Sequence, residues 1–360
     1  MVQGQRVDRR LLRFDKQAEV VRADLSAIAH TPERHLWIGS DELTTIDRLS
    51  PTLCKGARHE YGDHQQYNVG DYVNLADSHS EIDIEGLDVS EGYLWLVGSH
   101  SYKRKKPKGK NAAKDIERLM KIDTDVNRYM LARIPLVNGE PVAEDKATGR
   151  SAACLEKRKG KSALLEVLAD DPHIGLFLQL GLPSKENGLD IEAIAAKGNR
   201  LFLGLRGPVL RGMAIILEIA VEATSSGKLT LKKLKDKQRY HKHFVDLNGL
   251  GVRDLCFQNE DLLILAGPTM SIQGQSQLFR LKYPLQYQRD TLFTQPCESL
   301  APLFSLPQSP ENAEGITLFP STDNGSADGE TTNTLLVVYD SPKAERLKGK
   351  QAIWADMFLL

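Results

Sequence analysis

The chain has 360 residues, 41% of them hydrophobic, which is enough to bury more than one simple core. Its 47 basic and 48 acidic residues leave a net charge of -1, which argues against a surface built throughout to coat nucleic acid or anionic lipid. The opening MVQGQRVDRRLLRFDK lacks an apolar export core, no run of about eighteen apolar residues occurs, and four scattered cysteines form no C-x-x-C pair, so we expect a soluble cytoplasmic protein with reduced thiols.

In chain order, a strand-like RRLLRFDK from Arg9 precedes a two-strand phrase, DLSAIAHTPERHLWIGSDE from Asp24. The phrase returns as DIEGLDVSEGYLWLVGSHS from Asp83, DIEAIAAKGNRLFLGLRGP from Asp190, VRDLCFQNEDLLILAGPT from Val252, and AEGITLFP from Ala313 continuing at TLLVVYDSP from Thr334. Each copy joins a short strand to a strongly apolar one, and a third strand follows, as in MAIILEIAVE from Met213. A fourth is looser, as in HKHFVDL from His241.

Repeated four-strand units that cannot bury their faces alone predict an all-β, five-bladed β-propeller over residues 1–360, with six blades as the alternative. The last unit ends at Leu360 after its third strand, so the Arg9 segment is expected to supply its outer strand and close the ring. Two segments, NAAKDIERLMKI from Asn111 and KSALLEVLADDPHIGLFLQL from Lys161, repeat apolar residues at helical spacing. They predict helical insertions in the second blade at about 103–122 and 155–182. The run STDNGSADGETTN from Ser321 reads as a hairpin loop.

Aligned in register, the copies share a column of Ser26, Glu85, Glu192, Asp254 and Glu314, spaced 59, 107, 62 and 60 residues apart. First strands of a propeller line its channel, so four carboxylates and a hydroxyl are expected to meet. Either some carboxyls take protons or a cation sits among them. Oxygen donors without His or Cys point to calcium. The structural alternative is that these acids accept backbone N–H bonds and hold neighbouring blades together.

Loops between second and third strands are expected around the same mouth and bring His100, Lys103, Arg104, Arg206, Arg211, Lys343 and Arg346. Arg104, Arg206, Arg211 and Lys343 are candidates to bind an anionic small molecule, with His100 as acid or base, or Asp41 or Asp340 in its place. The KRKKPKGK run from Lys103 also reads as a solvated charge run. His241 and His243 share a strand face without a third ligand and read as structural. No phosphate-loop, dinucleotide, zincin or serine-hydrolase motif occurs.

The phrases DIEGLDVSEGYLWLVGSHSYKR and SKENGLDIEAIAAKGNRLFLGLRGPVLRG resemble the strongest blocks of an uncharacterised bacterial domain family of unknown function, number 3616. The acidic column is similar to the serine and glutamate ring that holds calcium in five-bladed calcium-dependent apyrases, with Asp254 in place of a serine. The E-G-L phrases resemble those of phytase-like propellers. These likenesses imply a calcium-dependent phosphoester or phosphoanhydride hydrolase. The other expectation is a monomeric, non-catalytic scaffold that binds a protein through the helical insertion. Neither membrane nor nucleic acid is an expected partner.

Overall fold

The structure is a computed structural model that describes residues 1–52, 59–77, 80–158, 160–225, 227–270, 274–307, 311–320 and 333–360. The Ser321 run lies outside the described residues. The fold is all-β and propeller-like, and its strands fall into consecutive antiparallel groups.

The first group runs Leu25–His30, Leu36–Ser40, Thr45–Pro51 and Glu60–Asn68. The second runs Ile84–Ser90, Tyr93–Gly98, Leu131–Val137 and Ala153–Leu155. Asp190–Lys197, Arg200–Leu210, Met213–Ser225 and Tyr240–Asp246 form the third. Gly251–Gln258, Asp261–Gly267, Gln277–Leu281 and Leu300–Ser305 form the fourth. In the last, Asn312–Pro320, Asn333–Asp340 and Ala352–Leu359 are completed by the N-terminal strand Arg6–Arg13, which pairs antiparallel with Ala352–Leu359 from Arg13↔Ala352 outward. The chain's two ends therefore share one sheet, and the last unit has its outer strand.

The first strands stand side by side in a closed cycle, with Asn312–Pro320 returning to Leu25–His30. Second strands read as nearly continuous apolar runs because both of their faces are covered. Leu94 and Leu96 pack with Ala27, Trp37 and Ile46 of the first group, while Trp95 and Val97 pack with Ile191, Leu203 and Ile215 of the third. The same alternation sends Ile264 toward the third group and Leu263 and Leu265 toward the last. The core is thus a set of apolar layers between neighbouring sheets, cut by alternation of period two.

Close approach around the cycle needs small side chains. A Cβ at Gly86 would stand 2.8 Å from the backbone N of Ile194 on the next first strand. Among the strands that escaped the sequence reading, Gly227–Lys232 pairs with the far half of Met213–Ser225 and runs parallel to Ala153–Leu155.

Helix Ala112–Leu119 lies between the second and third strands of the second group, and helices Ala163–Leu168 and Gly175–Gln179 lie between the second and third groups. Asn111 caps the first by accepting the N–H of Lys114. Leu164, Leu165 and Leu168 bury the second against the layer between these groups. Among the described residues, no helix is long and apolar enough to cross a membrane.

Candidate functional site

Every first strand carries a bulge at the same place. The pairing register skips Ser26, Glu85, Glu192, Arg253 and Glu314, so one residue per strand leaves the ladder. The expected column is therefore corrected at one position. Arg253, not Asp254, is the aligned residue, and it stands 61 residues from both Glu192 and Glu314.

Asp254 does another job. Its carboxylate accepts the N–H of Leu255 at 2.8 Å and that of Ile316, on the neighbouring first strand, at 2.6 Å. Ser26 is likewise occupied, because its hydroxyl donates to the carbonyl of Ile84. Both tie adjacent first strands together.

The charged members of the column form a network. Glu192 pairs with Arg206 at 2.6 Å and with Arg253 at 2.9 Å, and Arg253 also pairs with Glu314. Arg206 reaches Asp190 at 2.5 Å. Burial opposes the charge on Arg206, but Asp190, Glu192 and Glu85 outweigh it and hold the guanidinium protonated. Glu192 and Glu314 thus have arginine partners where a shared metal was expected.

Glu85 is different. Among the described residues no hydrogen bond or ion pair reaches its carboxylate, and the same holds for Asp41, on the turn after Leu36–Ser40. Oxygens of Asp41, Asp83 and Glu85 lie within 4.8 Å of one another. Asp83 alone is compensated, by Arg128 at 2.8 Å. Arg128 also bonds Glu81 at 2.9 Å and the Ser101 hydroxyl at 3.1 Å.

Burial, then the Asp83, Glu192 and Asp41 charges, push the Glu85 carboxyl well above the usual range. Burial together with Asp83, Asp340 and Asp24 pushes Asp41 up to about 7. Burial outweighs Arg206 at Asp190, which is also pushed up to about 7. Six carboxylates of Asp41, Asp83, Glu85, Asp190, Glu192 and Glu314 thus gather around three guanidiniums of Arg128, Arg206 and Arg253. Asp340 lies on the same wall and Glu81 shares Arg128, so the excess negative charge must be neutralised by protons or a cation.

The acids floor a cavity of about 550 Å³ whose rim includes Lys103, Arg104, Lys105, Lys106 and Lys185. Arg104 pairs with Glu186, Lys103 with Glu81, and Lys105 with Asp123 at 2.9 Å. Lys106 and Lys185 have no ion pair among the described residues, and both are exposed. A cavity with an acidic floor and a basic rim suits a cation below and an anion above it.

Three expected residues do not belong here. His100 is fully buried; its Nδ1–H donates to the Gly98 carbonyl at 2.9 Å, its ring lies 5.9 Å from Tyr129, and burial pushes its pKa down to about 4. A neutral imidazole sealed from the cavity cannot exchange protons with a ligand there, so the acid–base role is withdrawn. Arg211 sits with Gly212 in the tight turn between Leu210 and Met213, away from the cavity wall. Lys343 lines a separate cavity of about 210 Å³ with Arg346 and Asp356. Of the expected anion-binding set, only Arg104 and Arg206 line the acidic cavity.

Sequence reasoning passed over Asp83, Asp190, Arg128 and Arg253. A signal existed for two of them. In both D-I-E phrases the acid two residues before the bulge faces the same mouth as the bulged acid, whereas Arg253 directly precedes the residue that was aligned and only the pairing register reveals it. Arg128 had none, since it enters from the 3-10 turn Val126–Tyr129 before a third strand.

Several solved structures are distantly similar to the chain. The N-terminal domain of Nup170 from Chaetomium thermophilum, in complex with Nup53, is 9% identical at a TM-score of 0.38; it covers 94% of this chain, which spans 44% of that one. A putative oxidoreductase (glucose dehydrogenase) from Thermus thermophilus is 11% identical at 0.37, covering 98% and 100%. An inactive virginiamycin B lyase from Staphylococcus aureus with quinupristin is 12% identical at 0.34, again covering 98% and 100%. Scores this low bear on neither fold nor chemistry. No curated protein matches the chain. The model of one family, described as "Protein of unknown function (DUF3616)", matches residues 24–356, and the chain belongs to that family.

Proposed function

We propose that the chain is a single-domain, five-bladed β-propeller with helices inserted in its second blade, and that its channel mouth holds a calcium ion on Asp41, Asp83 and Glu85. The ion binds an anionic small molecule together with the rim cations, and the reaction is hydrolysis of a phosphoester or phosphoanhydride. The observation that carries the reading is the pair of carboxylates, Glu85 and Asp41, that stands beside Asp83 with no partner among the described residues. Carboxylates so placed repel one another until a proton or a metal arrives, and an all-oxygen set suits a hard cation.

Each residue then has a task. Arg128 fixes Asp83, while Arg206 and Arg253 hold Glu192 and Glu314 aside and keep the floor open. Bound calcium would polarise a phosphoryl oxygen and acidify a water. Lys106, Lys185 and Arg104 at the rim would neutralise the outer phosphate oxygens. Arg206 contributes field more than contact, because both its ion pairs are internal.

The test is turnover of a panel of nucleotides and phosphomonoesters with calcium and with EDTA, for the wild type and for Glu85→Gln. Calcium-dependent turnover that the folded variant lacks is expected. Turnover equal in the variant, or none with any substrate, removes the hydrolase reading.

A further inference from the structure

Six of the thirteen large apolar side chains exposed among the described residues lie in the two helix-bearing connections between Gly98 and Asp190. Four of them crowd one short arm: Ile116 is 63% exposed, Leu119 44%, Met120 71% and Ile122 41%. The arm is built from strand Lys103–Arg104, paired with Ile122–Asp123, and from helix Ala112–Leu119 between them.

On that helix and its C-cap residue, Ile116, Leu119 and Met120 share one face by their spacing of three and four, and Lys114 and Arg118 fall opposite. No residue of the helix is buried. Of the nineteen residues from Lys103 to Lys121, nine are Lys or Arg and two are acidic, although the whole chain has a net charge of -1. The lysine loop is held against the helix: Asp115 accepts the N–H groups of Lys108 and Gly109 at 2.8 and 2.9 Å, and Arg118 donates to the Lys106 carbonyl at 2.7 Å.

We propose that this arm docks the protein on an anionic membrane surface. The apolar face enters the interface, and the lysines meet the headgroups. Apolar area and a basic cluster are the two signals that interfacial attachment requires, and either alone is weak. Nucleic acid would answer the charge but has no use for an aliphatic face without aromatic residues to stack. A protein groove would have to be apolar and acidic together, whereas a bilayer with anionic lipid offers both properties to any protruding helix. Leu119, Lys105 and Lys106 also line the central cavity, so docking would turn its mouth toward the headgroups. The inference stands on the arm alone and does not depend on what the cavity binds.

The test is co-sedimentation of the full chain with vesicles of phosphatidylcholine alone and of phosphatidylcholine mixed with phosphatidylglycerol. Binding to the mixed vesicles only is expected, falling about fivefold for each of Lys106→Gln, Lys108→Gln and Lys110→Gln at low salt. Ile116→Asp with Met120→Asp should cost about tenfold at unchanged melting temperature. No vesicle binding, equal binding to both compositions, or an Ile116→Asp, Met120→Asp variant that binds like the wild type would overturn the proposal. The last result would mark the arm as a purely electrostatic contact, as for an acidic protein.

Discussion

Glu85→Gln should stabilise the ion-free protein, although it removes a residue of the proposed site. The side chain keeps its shape and loses its charge. At the 4.8 Å limit that groups the three acids, and at an effective dielectric of about 20, one carboxylate pair repels by about 3.5 kcal/mol. Glu85 takes part in two such pairs, with Asp41 and Asp83. Proton uptake relieves most of that repulsion, since Glu85 and Asp41 are both pushed upward, so the net gain at pH 8 should be about 1–3 kcal/mol. Urea unfolding in EDTA at pH 8 reads it as a higher midpoint at constant m. In calcium the order should reverse, because only the wild type gains by binding. A Glu85→Gln protein less stable than the wild type in EDTA would mean that Glu85 holds structure and is not an uncompensated acid.

Other expectations follow from the same geometry. Asp24 is raised to about 6, and Asp41 and Asp190 to about 7; their contribution to stability is full below about pH 4 and lost as pH rises to about 7. Thermal melts of the ion-free protein should therefore show a loss between pH 5 and 8 that Asp41→Asn reduces, and a slope unchanged in the variant would contradict the assignment. Arg253→Gln strands Glu314 and leaves Glu192 to Arg206 alone, and should cost about 3–5 kcal/mol in urea, with Glu314→Gln restoring part of it. Asp254→Ala leaves the Ile316 N–H unpaired and should cost about 1–3 kcal/mol without changing calcium affinity by titration calorimetry. Deleting residues 1–13 bares the edge of Ala352–Leu359, so sedimentation should show self-association.

Most of the fold was legible because the second strands announce themselves. Runs such as LWLVG and LLILAG are apolar on both faces, and only strands between two covering layers afford that composition. The closing role of Arg6–Arg13 was legible from a count of strands in the last unit. The site was legible only in part. Glu85, Glu192 and Glu314 announced a shared axis, but a bulge shifts a strand by one residue, and nothing in VRDLCF shows which side of the shift Asp254 takes. Arginine partners from other elements, Arg128 and Arg206, decide which acids stay free, and sequence spacing does not encode such pairings. His100 misled because a loop position suggested access, while packing against Tyr129 seals the ring.

Calcium content is the direct test. Full-length protein, stripped with EDTA and dialysed against calcium, should retain one ion per chain by elemental analysis. Asp41→Asn and Glu85→Gln should retain none while keeping the wild-type circular dichroism spectrum. A wild type that takes up no calcium, or folded variants that keep a full equivalent, would mean that protons alone settle the charge at the channel mouth.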